Sequence, residues 1–202
     1  VSKTPSPRKG VSTSIEKALD PFASALKRVT PARATPATPA KTGKPGLAVS
    51  PLAVPFPAIP PIAGVEIATA RAGFYKHDRH DLTVFRFAEG TSCAGVFTRH
   101  QVGSAPVDWC RRHLESDNGG QDVRALVINA GCANAFTGKA GADAARRTAS
   151  AAAKRFDCRQ RDVMLASTGV IGVVLDDRKI AARMADIEAG LTADGWAAAG
   201  QA

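Results

Sequence analysis

The chain has 202 residues, of which 45% are apolar, 22% charged and only 5% aromatic. This balance excludes collagen-like and mucin-like chains and predicts one globular domain with a tail; no apolar run approaches the roughly 18 residues of a membrane span. The formal charge is +9, but residues 1–61 hold nine Lys or Arg against Glu16 and Asp20, a net +7, which leaves residues 62–202 near neutral at +2. The globular part has no zinc-finger spacing, RRM-like aromatic pair or Arg/Lys stripe, so no specific nucleic-acid partner is expected.

Of the 13 prolines, 12 lie at or before Pro61. They divide the chain into a basic Pro/Ser/Ala-rich leader or linker (1–46), an extended proline-broken strap (47–61) and a folded portion (62–202). Residues 1–14 read as disordered. The segment 14–29, SIEKALDPFASALKRV, spaces Ile15, Leu19, Phe22 and Leu26 as a short amphipathic helix, interrupted by Pro21. TPARATPATPAKTGKPG then favours a polyproline-like spacer. A cytoplasmic protein is the expectation, with the mitochondrial matrix as the alternative if the basic leader is a transit peptide.

From Ile62 the texture changes. GVEIATARAGF predicts a first strand through Val65 and Ile67. DLTVFRFAEG predicts a second, with Leu82 and Val84, and SCAGVFTRHQV a third short one holding Val96 and Phe97, an arrangement suggesting a hairpin. The polar run KHDRHD between them, with His77 and His80, reads as a solvated loop. Pro106 suits the first turn of a helix over APVDWCRRHLES, with Val107, Cys110 and Leu114 as its apolar stripe and Arg111 and Arg112 outward. DNGG closes it.

VRALVINA (123–130) is apolar on both faces and predicts a buried strand. It runs into a small-residue loop, NAGCANAFTG, and an Ala-rich helix from about Ala142 to Arg155. VMLAS (163–167) repeats the strand, followed by a TGVIG turn. A helix through Ile180, Met184 and Ile187 comes next, capped by Asp176 or Asp177, and a last one is capped by Thr192. The class is α/β or α+β. AGCANAFTGKAG lacks Walker A order, since Lys139 is followed by Ala140.

Cys93, Cys110, Cys132 and Cys158 form no CxxC, and the histidines form no ligand pattern, so no metal is expected and the thiols read as scattered and mostly buried. Cys132 has no local nucleophile signature. Asn129 and Asn134 suit clamps of the NAGCANAFTG loop through side-chain-to-backbone bonds, and Gly131 and Gly138 suit close approach or positive φ. In ASTGVIG, Ser167, Thr168 and Gly169 follow a strand directly. A Thr hydroxyl beside a glycine N–H is a pair of donors suited to a developing oxyanion, and an ordinary capped turn is the competing reading.

The ordered set AGVFTRHQVGSAPVDWCRRHL, RALVINAGCANAFTG, ASTGVIG and LTADGW resembles the glutamate N-acetyltransferase family, also called ornithine acetyltransferase, from about Pro61 to Ala202. The resemblance implies a layered α/β fold of that family's own type, not Rossmann. It implies transfer of acetyl from N2-acetyl-L-ornithine to L-glutamate through an acetyl-threonine, with no cofactor and with acetyl-CoA a substrate for some members. It also implies self-cleavage before the nucleophilic threonine into α and β chains that assemble as an α2β2 heterotetramer. By the same resemblance, Thr168 and Gly169 are the oxyanion hole. The family loop reads closer to NSGNANACTG, so Ala130, Cys132 and Phe136 depart from it, as does His100 in VFTRH. The KGxGM-type and MTTD-like segments, with the nucleophile, are expected beyond Ala202, so this chain is expected to supply half a site. The alternatives are an inactive structural or regulatory relative and a self-processing amidase or aminopeptidase.

Overall fold

The computed structural model describes Val54 and residues 57–202, apart from His77 and Asn118. The leader and the helix expected over 14–29 lie outside the described residues. Val54 and residues 57–62 have no regular secondary structure and are exposed.

Four strands form one mixed sheet in chain order: β1 (Val65–Ala70), β2 (Leu82–Phe87), β3 (Ala125–Cys132) and β4 (Val163–Val170). β2 runs antiparallel to both β1 and β3, whereas β4 runs parallel to β3. That parallel pair needs a long crossover, which α2 (Gly138–Arg155) supplies. The other helices among the described residues are α1 (Ala105–Leu114), α3 (Asp177–Ala181), α4 (Met184–Ala189) and α5 (Trp196–Gln201), with a 3-10 turn at Gln160–Asp162. Among the described residues no helix is long and apolar enough to cross a membrane.

The register explains the core. Ala68, Val84, Val127 and Leu165 lie in one row across all four strands, and all four are buried. Burying a Val or Leu side chain is worth about 1.5–3 kcal/mol. Over this face lies α2, whose buried side is Gly141, Ala144, Ala145, Thr148, Ala149, Ala152 and Ala153. The i, i+3, i+4 spacing of these small residues lets the helix backbone lie close to the sheet. Arg147 leaves α2 to hold Asp177 of α3 through Nε at 2.9 Å and Nη2 at 2.8 Å.

The opposite face carries Ile67, Phe85, Leu126 and Met164 in one row. Here α5 covers β1 and β2: Trp196 packs on Phe85 with ring centroids 5.8 Å apart.

Several sequence expectations are corrected. Residues 91–101 form no strand, and Val96 is 99% exposed. Both hydrogen-bonding edges of β2 are already taken, by β1 and β3, so a third strand has no place beside it; the hairpin-like pairing is β1 with β2, across the loop 71–81. The apolar stripe of α1 is Pro106, Trp109 and Cys110, with Val107 and Leu114 only half-buried. Arg111 does not point freely outward but sits over the Phe97 ring.

α2 starts one turn earlier than expected, at Gly138. The single helix expected through Ile180, Met184 and Ile187 is two short ones. Asp176 stands at the N-cap of α3 without a side-chain capping bond. The last helix begins at Trp196 after Gly195, not at Thr192, whose backbone instead bridges Ile67.

Candidate active site

Both small-residue segments singled out in the sequence belong partly to strands. β3 continues to Cys132 and β4 to Val170, so the expected NAGC loop and TG turn are paired backbone. Asn129 faces Ser167, Ala130 faces Thr168, and Gly131 faces Gly169.

The glycine pair sets the local geometry. Gly131 has φ +108° and Gly169 φ +128°, a region that side-chain-bearing residues rarely occupy. A Cβ on Gly169 would stand 2.6 Å from both Gly131 Cα and Cys132 N. A Cβ on Gly131 would stand 2.7 Å from Phe74 Cβ. The two strands and the 72–75 loop therefore close on one another at this point with no space for a side chain.

β4 is an edge strand, and α1 satisfies part of its outer backbone. Trp109 Nε1 donates to the Val163 carbonyl at 2.9 Å. Cys110 Sγ donates to the Leu165 carbonyl and accepts from the Leu165 N–H, both at 3.2 Å. Burial pushes the Cys110 thiol above its ordinary pKa, opposed in part by the Leu165 bond, so it stays a neutral thiol. Strand alternation then places the amides of Ser167 and Gly169 on the same outer edge as that of Leu165.

The same alternation sends the Thr168 side chain to the face opposite Ser167. There it lines a cavity of about 450 Å³ together with Tyr75, Arg79, Thr83, Ile128 and Trp196. Thr168 and Gly169 are both exposed. A hydroxyl and an adjacent amide at the exposed end of a paired strand are hydrogen-bond donors of the kind that can meet a negative oxygen.

The two expected clamps are present. Asn129 Nδ2 donates to the Cys132 carbonyl at 2.9 Å, and Asn134 Nδ2 donates to the Gly141 carbonyl at 3.0 Å. Both asparagines are buried. Gly138 has φ +54°. Cys132 is buried and donates to the Val173 carbonyl at 3.2 Å. Among the described residues no cluster of His, Cys, Asp and Glu could hold a metal ion.

Asp81 was not singled out by sequence. It is 1% exposed, and its carboxylate accepts the backbone N–H groups of Ala72, Gly73, Phe74 and Tyr75 at 2.6–3.2 Å. Its own carbonyl accepts the Ala130 N–H. It thus ties the loop that rests on Gly131 to the strand beside Thr168. The only signal was an aspartate directly before a buried strand, in a run that otherwise reads as solvated.

The ArgJ family pattern matches residues 66–202. An arginine biosynthesis bifunctional protein ArgJ from Caulobacter vibrioides is 74% identical over 149 residues, which is 74% of this chain and 37% of that protein. One from Nitrobacter winogradskyi is 46% identical over 156 residues, 77% of this chain and 37% of that protein. The chain therefore spans little more than a third of the length of these relatives.

Among solved structures, ornithine acetyltransferase complexed with ornithine from Mycobacterium tuberculosis matches with TM-score 0.61 and 34% identity, covering 66% of this chain and 69% of that one. ArgJ from Bacillus halodurans matches with TM-score 0.56 and 30% identity, covering 60% and 62%. The layered α/β fold is that of the ornithine acetyltransferases. With its family pattern running from β1 through α5 and taking in every strand that shapes the Thr168–Gly169 segment, the chain belongs to the ArgJ family.

Proposed function

We propose that this chain contributes the oxyanion-stabilising part of an N-acetyl transfer site in arginine biosynthesis. In this reading the acetyl donor is N2-acetyl-L-ornithine and the acceptor is L-glutamate, with acetyl-CoA as a second donor where the enzyme is bifunctional. The nucleophile is a threonine on a β chain, freed by self-cleavage, and the two kinds of chain assemble as α2β2.

The steps follow from acyl-transfer chemistry. The threonine Oγ attacks the acetyl carbonyl carbon of acetylornithine, and its proton passes to the departing nitrogen. The carbonyl oxygen carries negative charge while carbon is tetrahedral. The C–N bond then breaks, ornithine leaves, and an acetyl ester remains on the threonine. The glutamate amine attacks that ester, the C–O bond breaks, and the threonine hydroxyl regains a proton. Each tetrahedral stage needs donors aimed at the oxygen; Thr168 Oγ1 and the Gly169 N–H take that role.

One observation carries the reading: Thr168 and Gly169 are exposed donors at the end of a strand packed against Gly131 with no space for a Cβ between them. The names borne by the ArgJ relatives and the ornithine bound to the mycobacterial neighbour support the substrate class.

The test is acetyl transfer by the complete protein containing this chain. Incubation with acetylornithine alone should leave one acetyl group on a threonine, seen by intact mass, and adding glutamate should discharge it as N-acetylglutamate. Hydrolysis to acetate regardless of glutamate would contradict the assignment.

A further inference from the structure

We propose that Asn129 and Ser167 act together as the positioning pair of the oxyanion segment, a role that rests on the assignment of Thr168 and Gly169 above. The row of the sheet that they share begins as core: Ala70 on β1 faces Leu82 on β2, Leu82 faces Asn129 on β3, and Asn129 faces Ser167 on β4. On the adjacent row the β3 and β4 positions are Val127 and Leu165. Two polar side chains thus occupy places on the α2-covered face where the pattern calls for aliphatic ones.

Their bonds run in two directions. Ser167 Oγ donates to Asn129 Oδ1 at 2.6 Å, and Asn129 Nδ2 donates to the Cys132 carbonyl at 2.9 Å. One amide that is 2% exposed therefore fixes the residue immediately before Thr168 and the carbonyl immediately after Gly131. The pair brackets the Gly131–Gly169 crossing, and the space it lines on its own face with Ala145 and Thr148 is about 10 Å³, too small for a substrate.

A hydrophobic pair at these positions would bury more apolar area, at the cost of taking the Asn129 donor from the Cys132 carbonyl. What it would lack is direction. A hydrogen bond from the Ser167 side chain sets the rotation of β4 about its own axis, and with it the aim of the Thr168 hydroxyl on the opposite face and of the Gly169 N–H at the edge.

The experiment is a double-mutant cycle in the complete acetyltransferase, with kcat and KM measured for acetylornithine. Ser167→Ala should lower kcat by about 10- to 100-fold, the scale of a misplaced catalytic group, with KM within twofold of the wild type. Ser167→Thr, which keeps the hydroxyl, should restore most of the rate. In a Thr168→Ala background, Ser167→Ala should cost clearly less than it does in the wild type, because one of the two donors it aims is gone.

Wild-type kcat in Ser167→Ala, or the same loss from Ser167→Ala with and without Thr168, would overturn the pairing. So would failure of Ser167→Thr to recover rate in a folded protein. Wild-type kcat in Thr168→Ala would instead overturn the oxyanion assignment itself, so the two failures read differently.

Discussion

Gly131 and Gly169 face each other across β3 and β4, both at positive φ, and neither position has space for a Cβ. This crossing stiffens the backbone directly under the candidate oxyanion donors. It also explains why small residues cluster in both segments, which composition alone leaves ambiguous between a turn and a site.

Replacing Gly131 with Ala should therefore destabilise the fold by roughly 2–4 kcal/mol, since it combines backbone strain with a clash against Phe74 Cβ. Thermal denaturation of wild type and variant checks this. An unchanged melting temperature would show that the 72–75 loop does not rest on Gly131 as described.

Asp81→Asn should also destabilise. The carboxylate accepts four backbone N–H groups, and an amide presents one of its two ends to them as a donor. Breaking charge-assisted bonds in a buried site costs about 1.5–3 kcal/mol or more. Hydrogen exchange localises the effect: the amides of Ala72 to Tyr75 should exchange faster while those of β3 change least. Uniform acceleration throughout the domain would contradict a local anchoring role.

Much of the fold was legible because it rests on patterns with a fixed period. The alternation in VEIATA and LTVFRF, the proline at the start of α1 and the alanine face of α2 each specify one element. The third predicted strand failed for a reason outside its own sequence, because Val96 and Phe97 have strand propensity but β2 already has two neighbours. The stripe of α1 was right at Cys110 but missed Trp109, which is buried to donate to the Val163 carbonyl of β4, a task that no helical period encodes. Likewise the TG of the STG segment was read as a turn because glycine signals a break, whereas here it permits two strands to touch. Asp81 escaped notice since a carboxylate gathering loop amides has no sequence spacing of its own.

Thiol chemistry offers an independent check on the packing. Burial raises the pKa of Cys110, and it also raises that of Cys158, with the nearby Asp162 carboxylate adding to the effect. The sign follows: at a given pH less thiolate is present in the folded protein than on an unfolded chain. Alkylation at about pH 8 should thus be slow at both thiols in the native state and fast after denaturation. Peptide mass mapping reports each site. Rapid native labelling of Cys110 would show that α1 does not cover Leu165.

The proposed role of Thr168, to help carry the charge of the tetrahedral intermediate, is tested most directly by kcat for Thr168→Ala in the complete enzyme with acetylornithine and glutamate. Loss of one such donor should lower kcat by about 10²–10³-fold, with the melting temperature unchanged because the side chain is exposed. A kcat equal to that of the wild type, in an equally stable protein, would contradict the account.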